Sequence, residues 1–155
     1  MRGADSRQGT AHRYARVSAR GVPARFTSAS GHDAHFQVLP DVVEAAEELA
    51  VVDQVTVMRR DASALYRSEP ISGRRPLGLG AALALLAEQS RPYTDQEAAQ
   101  FWAVQRQLHQ AMPQYRDDLV DIAARAIPLM PPARQPRRLE PPVSAAALPL
   151  PCRAG

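Results

Sequence analysis

The sequence predicts a mainly α protein, in which a small helical core (a helical hairpin plus an extension) lies between two disordered arms. Hydrophobic residues make up 45% of the chain and aromatic residues only 5%, so Ala, Leu and Val must build the core. Residues 77–89 are apolar around nearly the whole helical circumference, and residues 95–112 carry one apolar face. A chain of 155 residues has room for one such domain.

The charge distribution divides the chain into three parts. Six arginines against two acids give the first 33 residues a net charge of +4, whereas thirteen acids outweigh nine arginines over residues 34–127. The last 28 residues are again basic and contain eight prolines, which favour extended polyproline conformations. We therefore predict a flexible Arg-rich arm over 1–21, a domain over 22–127 and a proline-rich disordered tail over 128–155.

Residues 1–39 contribute little to the predicted core. Residues 1–21 contain only Tyr14 and Val17 as sizeable apolar side chains, so little offsets the entropy lost on ordering. Residues 22–28 and 34–39 flank a turn-like Ala-Ser-Gly-His-Asp sequence, which predicts a short hairpin.

A first helix is predicted to begin at Asp41, with Glu44 completing a box-like cap. Its apolar face comprises Val42, Ala45, Ala46, Leu49 and Val52. The β-branched residues 55–58 follow, and a strand that ends near Met58 is favoured over a continuation of the helix. A short helical turn is predicted over residues 61–67.

The second half of the domain carries the clearest local signals. A helix without a polar face, such as 77–89, belongs in the middle of a core. Thr94 and Glu97 have the spacing of a capping box, which opens the long helix. Pro113 ends or kinks that helix, and an amphipathic extension continues to Ile127.

Arginines along the N-terminal arm are the candidate contacts to nucleic acid. Flexible basic segments bind phosphates non-specifically through counterion release, and they order on contact. All basic residues are Arg, with no Lys, and the codon usage of a GC-rich genome would produce the same bias. The candidate residues are Arg2, Arg7, Arg13, Arg16, Arg20 and Arg25.

A candidate metal site is the string Gly31-His32-Asp33-Ala34-His35. Two imidazoles beside a carboxylate are residue types that bind zinc. The string resembles the Gly-His-Asp-x-His segment of the zinc-dependent amidohydrolases related to aminoacylase and carboxypeptidase. A helix follows the motif in that family, and several members carry a ligating Cys where this chain has Ser30. The ligands that this resemblance implies are His32, Asp33 and His35.

The function that the residues favour is a non-enzymatic binding or adaptor protein. We find no nucleophile–base pairing, no phosphate-cradling glycine loop and no carboxylate pair in a catalytic context. The helical core would contact a protein partner or a second copy, and the arms would touch nucleic acid. Two further hypotheses stay open: a metal-dependent hydrolase fragment that uses the Gly31–His35 string with zinc, and the product of a GC-rich reading frame with no evolved function.

Cellular location is predicted from two features of the sequence. A lone cysteine, Cys152, excludes an internal disulfide framework and favours a reducing compartment. The longest apolar run is shorter than the ~20 residues that a transmembrane helix needs. We therefore expect a cytoplasmic protein that does not contact the membrane.

Overall fold

A computed structural model describes residues 1–49, 52–59, 61–68 and 80–136 of the chain. Within these residues the protein has five α-helices and one two-stranded antiparallel sheet, which confirms the mainly α class. The elements are, in order, α1 (Gly3–Ser18), α2 (Ala29–Glu48), β1 (Thr56–Met58), β2 (Ala64–Arg67), α3 (Gly80–Ser90), α4 (Asp95–Ala111) and α5 (Arg116–Ala126). Short 3₁₀ turns cover Pro113–Tyr115, Ile127–Leu129 and Pro132–Arg134.

The segment predicted to be a flexible arm forms helix α1 instead, and α1 packs against α4 and α5. Its inward face buries Ala4 and Ala11, whose small side chains allow the helices to approach closely. The same face buries Arg7 and Gln8, and both form hydrogen bonds with the body of the protein. A count of large apolar side chains misses this helix because polar contacts, alanines and a single tyrosine, Tyr14, hold it in place.

Helix α2 occupies the second half of the segment 22–39, for which a hairpin was predicted, and residues 22–28 form neither strand nor helix. The Ser28 hydroxyl caps it by accepting a hydrogen bond from Gly31 N–H at 3.3 Å. The helix therefore begins at Ala29, well before the predicted start at Asp41, and the turn-like residues form its first turn. Pro40 lies inside the helix, where it removes one backbone hydrogen bond, and its ring is buried.

A small hairpin follows α2, with Val57 of β1 opposite Tyr66 of β2. The predicted strand that ends near Met58 is confirmed. The helical turn predicted for 61–67 is wrong, because strand β2 occupies most of that segment. The Asp61 carboxylate accepts a hydrogen bond from the backbone amide two residues later, which closes the turn before β2.

The helices of the second half are present, and their packing differs from the predicted hairpin. Helix α3 packs against α2 and both strands, whereas α4 packs against α1 and α5. Ala81 and Ala82 of α3 are buried, but Leu83 and Leu86 are about half exposed. The run predicted to lie in the centre of the core therefore has one buried side, and residues 77–79 lie outside the described part of the chain.

The main core lies between α1, α4 and α5. Its largest fully buried side chains are Leu108, Met112, Leu119 and Ile122. The predicted capping box of α4 is confirmed. The Thr94 hydroxyl accepts a hydrogen bond from Glu97 N–H at 3.2 Å, and the Glu97 carboxylate accepts one from Thr94 N–H at 2.8 Å.

The beginning of the predicted disordered tail folds back onto the core. The Trp102 indole N–H donates to the Arg134 carbonyl at 2.9 Å, and Tyr93 N–H donates to the Leu129 carbonyl at 2.8 Å. Residues 128–136 thus form short turns beside α4, while the rest of the predicted tail, 137–155, lies outside the described residues. Among the residues that are described, no helix is both long and apolar enough to cross a bilayer.

Candidate functional site

Helix α1 separates the six candidate arginines into two groups. Arg2 and Arg7 are only 5% and 4% exposed, and both form ion pairs with acidic residues. The other four are exposed and have no ion pair with any described residue. We call this second group the arginine surface; it consists of Arg13, Arg16, Arg20 and Arg25.

The arginine surface is arranged by helix geometry and by the loop after α1. Arg13 and Arg16 are three residues apart on α1, so they lie on one side of the helix, and Arg20 follows two residues after the helix ends. Two shallow grooves of about 310 and 250 Å³ flank Arg13, one lined also by Arg16 and Arg20 and the other by Arg25. Among the residues that the structure describes, no acidic side chain lines either groove. The surface therefore presents several guanidinium groups that are free to bind an anion.

An aromatic cluster holds the loop that carries Arg25. The neighbouring Phe26 ring stacks on Tyr115, with 4.0 Å between ring centroids. Tyr14 of α1 contacts both rings edge-on, with centroid distances of 5.4 Å to each. The position of Arg25 relative to α1 is thus fixed by apolar packing.

Arg7 and Gln8 attach the middle of α1 to the body. The Arg7 guanidinium forms an ion pair with Asp121 of α5, and this hydrogen bond holds the pKa of the Asp121 carboxyl below its usual value. The Gln8 amide donates to the Gln105 side-chain oxygen of α4 at 3.0 Å. These contacts are structural, so Arg7 is not available to a ligand.

Arg2 attaches the start of α1 to the start of α4. Its guanidinium lies 3.5 Å from the centroid of the Tyr93 ring and forms ion pairs with Asp5 at 2.7 Å and Glu97 at 3.3 Å. The Tyr93 hydroxyl donates to Asp5 at 2.7 Å. Burial raises the pKa of Tyr93, and the negative charge of Asp5 adds to that shift.

Arg91 extends the Arg2 contacts into a charged network. It forms ion pairs with Glu97 at 2.5 Å and with Glu88 at 3.0 Å, and Arg59 also reaches Glu88 at 3.0 Å. The hydrogen bond from Arg91 is the main reason that the pKa of Glu97 is lowered. A cleft of about 500 Å³ opens beside these residues. Each of the four charged side chains has an opposite charge beside it, which indicates a structural network.

Of the candidate metal ligands, His32 and Asp33 contact each other, whereas His35 has a different partner. The two ring nitrogens of His32 lie 3.0 Å from Asp33 Oδ1 and 2.8 Å from the Ser6 hydroxyl. The second Asp33 oxygen pairs with Arg125 at 2.7 Å, and His35 Nδ1 lies 2.7 Å from a backbone carbonyl. Within the described residues, no group of three or more His, Cys, Asp or Glu side chains is placed to hold a metal ion.

The charged network was not found from the sequence. Its Arg2–Glu97 contact joins residues that are 95 positions apart, and no local pattern reveals such a pair. Only the spacing of Glu88 and Arg91 across the end of α3 offers a signal, since opposite charges three residues apart near a helix end can pair.

Comparison with known protein families gives a partial match. The family model for zeta toxins matches residues 2–70. The first part of the chain is therefore similar to the zeta toxins. The match spans α1, α2 and the β1–β2 hairpin, so it includes the arginine surface, but it covers less than half of the chain. No curated protein and no solved structure matches the chain.

The two groups of arginines should differ in their effect on stability. We expect Arg7→Gln to lower the free energy of unfolding by about 2 kcal/mol, because it removes a charge-assisted hydrogen bond between α1 and α5. Arg13→Gln, on the exposed side of the same helix, should change it by less than about 0.5 kcal/mol. Urea unfolding followed by circular dichroism measures the unfolding free energy of both variants. Equal effects would contradict the division into buried and exposed arginines.

The lowered pKa of Glu97 predicts a dependence of stability on pH. Because folding depresses this pKa, the ionised carboxylate stabilises the folded state above the unfolded pKa, ~4.3, and that stabilisation is lost as pH falls further. Glu97→Gln keeps a capping side chain and removes the charge. We expect it to cost about 1–2 kcal/mol at pH 7, and the difference from wild type to shrink below about pH 4.

The matched control for this measurement is Glu48→Gln. Glu48 is an exposed carboxylate on α2 that has no ion pair with any described residue. Its removal should change the unfolding free energy by less than about 0.5 kcal/mol. A Glu97→Gln effect that stays constant from pH 7 to pH 3 would show that the charge of Glu97 does not stabilise the fold.

Proposed function

We propose that this protein is a non-enzymatic binding protein, whose helical body contacts a protein partner and whose arginine surface contacts the phosphates of nucleic acid. The observation that carries the proposal is the set of four exposed arginines without a counterion among the described residues. A guanidinium group donates two parallel hydrogen bonds to a phosphate, so a free arginine is suited to that ligand. We propose a cytoplasmic location on the basis of the single cysteine.

The helical setting of these arginines supports binding without sequence preference. Arg13 and Arg16 are held on the rigid helix α1, about 4.5 Å apart along its axis, and Arg20 lies in the turn directly after the helix. A rigid surface loses less conformational entropy on binding than the flexible arm expected from the sequence. Contacts to phosphates alone would give an affinity that falls steeply with salt, with a slope of about −0.7 to −0.9 per phosphate contact.

The zeta toxin match favours a second candidate function, because that family is kinase-like. In that case the same arginines would hold the phosphates of a nucleoside triphosphate during phosphoryl transfer, where positioning of the phosphates is the main contribution of the protein. The 155 residues contain no lysine and no phosphate-cradling glycine loop. Transfer would therefore need groups that this chain does not supply.

Two hypotheses from the sequence have less support than these candidates. They are a metal-dependent hydrolase fragment and the product of a reading frame with no evolved function. Both ring nitrogens of His32 lie within hydrogen-bonding distance of protein oxygens, so zinc binding by His32 would require these contacts to break. The family match over residues 2–70 supports an evolved protein over a GC-rich reading frame without function.

A pair of triple variants with the same change in net charge tests the proposal. Arg13, Arg16 and Arg20 are changed to Gln in one variant. In the other, the changed residues are Arg67, Arg106 and Arg116, which are exposed and have no ion pair with a described residue. We expect the first variant to lose at least tenfold in affinity for a fluorescent oligonucleotide and to lower the salt slope by about 2–3, since each lost phosphate contact removes about 1. The control variant should stay within about twofold of wild type.

The same titration with a nucleoside triphosphate separates the two candidate functions. Binding of the oligonucleotide through the arginine surface supports the nucleic-acid proposal. Binding of the triphosphate alone, lost in the first variant, supports the kinase-like candidate. Equal losses in both variants would show that only net charge matters and would contradict a defined surface.

A further inference from the structure

The apolar face of α2 lies on the surface of the protein. The apolar face predicted from periodicity includes Val42, which is 57% exposed, and Leu49, which caps the helix end and is 71% exposed. Val38, one turn before Val42, is 49% exposed. A row of large apolar side chains in water is unfavourable for an isolated domain, and such rows mark contact sites for other proteins.

The exposed residues have the spacing of a coiled-coil seam. Along α2 they are separated by four, three and four residues, the pattern in which one helix packs against another. The opposite side of α2 faces the body, because Pro40 is buried and the Glu47 carboxylate accepts a hydrogen bond from Ala81 N–H at 3.1 Å. We call this row the α2 seam; it consists of Val38, Val42, Ala45 and Leu49.

The charges beside the α2 seam indicate what kind of helix it fits. Asp41 and Glu48 are seven residues apart and occupy equivalent positions on one flank, where charged residues select the partner of a coiled coil. Both are exposed, and neither has an ion pair with a described residue. Helix α2 contains no Arg or Lys, and its C-terminal end adds a partial negative charge.

This charge pattern disfavours a second copy of the chain as the occupant. Two α2 helices packed seam to seam would bring acidic flanks together without a basic residue on either helix. Like charges at these positions act against pairing. A helix with Arg or Lys at its flanking positions would instead neutralise Asp41 and Glu48.

We propose that the α2 seam binds a basic amphipathic helix of another protein. The contact extends over residues 38–49, which is about 18 Å of helix, or three turns. Its apolar side chains would pack between those of the partner, and the partner's basic flank would lie against Asp41 and Glu48. This inference rests on the proposed binding function and names the chemistry of the protein partner.

Three synthetic helical peptides test the inference. They share apolar residues at the two seam positions of each heptad and carry Lys, Gln or Glu at the flanking positions. Fluorescence anisotropy with the full chain should give 1:1 binding that is at least tenfold tighter for the Lys peptide than for the Glu peptide. The Gln peptide should bind with intermediate affinity, because it keeps the apolar contact and lacks the charge.

Variants of exposed residues locate the contact. Val42→Ser with Leu49→Ser should weaken binding of the Lys peptide at least tenfold. Val22→Ser with Val120→Ser, at positions that are 51% and 53% exposed elsewhere on the surface, should leave it within twofold. Asp41→Arg with Glu48→Arg should reverse the preference towards the Glu peptide. Circular dichroism of each variant checks that the helices are intact.

Several outcomes would overturn the inference. Absence of binding, equal binding of the three peptides, or equal losses in both pairs of serine variants would each do so. A dimer of the full chain in sedimentation that dissociates in the Val42→Ser, Leu49→Ser variant would show that a second copy occupies the seam. Oligonucleotide binding through the arginine surface would persist in all these cases, so a failure here is distinct from a failure of the nucleic-acid contact.

Discussion

The attachment of α1 to the rest of the protein depends on two buried guanidinium groups and the carboxylates beside them. An unpaired charge in such a position would cost several kcal/mol, so each arginine requires its acidic partner. Arg2 pairs with Asp5 and Glu97, and Arg7 pairs with Asp121. The fully buried apolar residues of α1 are alanines, so these polar contacts, together with the packing of Tyr14 against Tyr115, set how the helix sits on the body.

The position of α1 determines what the protein presents to its surroundings. With Arg2 and Arg7 facing the body, Arg13 and Arg16 are left on the outer side of the helix, and Arg20 is exposed in the turn that follows it. The aromatic cluster around Phe26 brings Arg25 to the same side. Helix α2 is the next helix in the chain, and its exposed surface is apolar and acidic, whereas the arginine surface is basic. The part of the chain that is similar to the zeta toxins thus holds both surfaces for which we propose ligands.

The sequence predicts the fold well where signals are local. The capping box of Thr94 and Glu97 and the strand that ends near Met58 depend on neighbouring residues, and both are confirmed. Prediction from sequence fails where contacts between distant residues determine whether a segment folds. Helix α1 is an example, because its Arg7 pairs with a residue 114 positions away. Periodicity identified the apolar face of α2, but it cannot distinguish a face that meets the core from one that meets solvent. The candidate arginines were therefore found as a set, and only tertiary structure could separate the buried members from the exposed ones.

Hydrogen exchange of the backbone amides tests most directly whether α1 belongs to the folded body. Exchange followed by mass spectrometry on the full chain reports protection for each helix in one experiment. If paired arginines hold α1 in place, amides of Gly3–Ser18 should be protected to an extent comparable to those of α4 and α5. Exchange of those amides at the rate of an unstructured peptide, with α4 and α5 protected, would show a flexible arm and contradict this account.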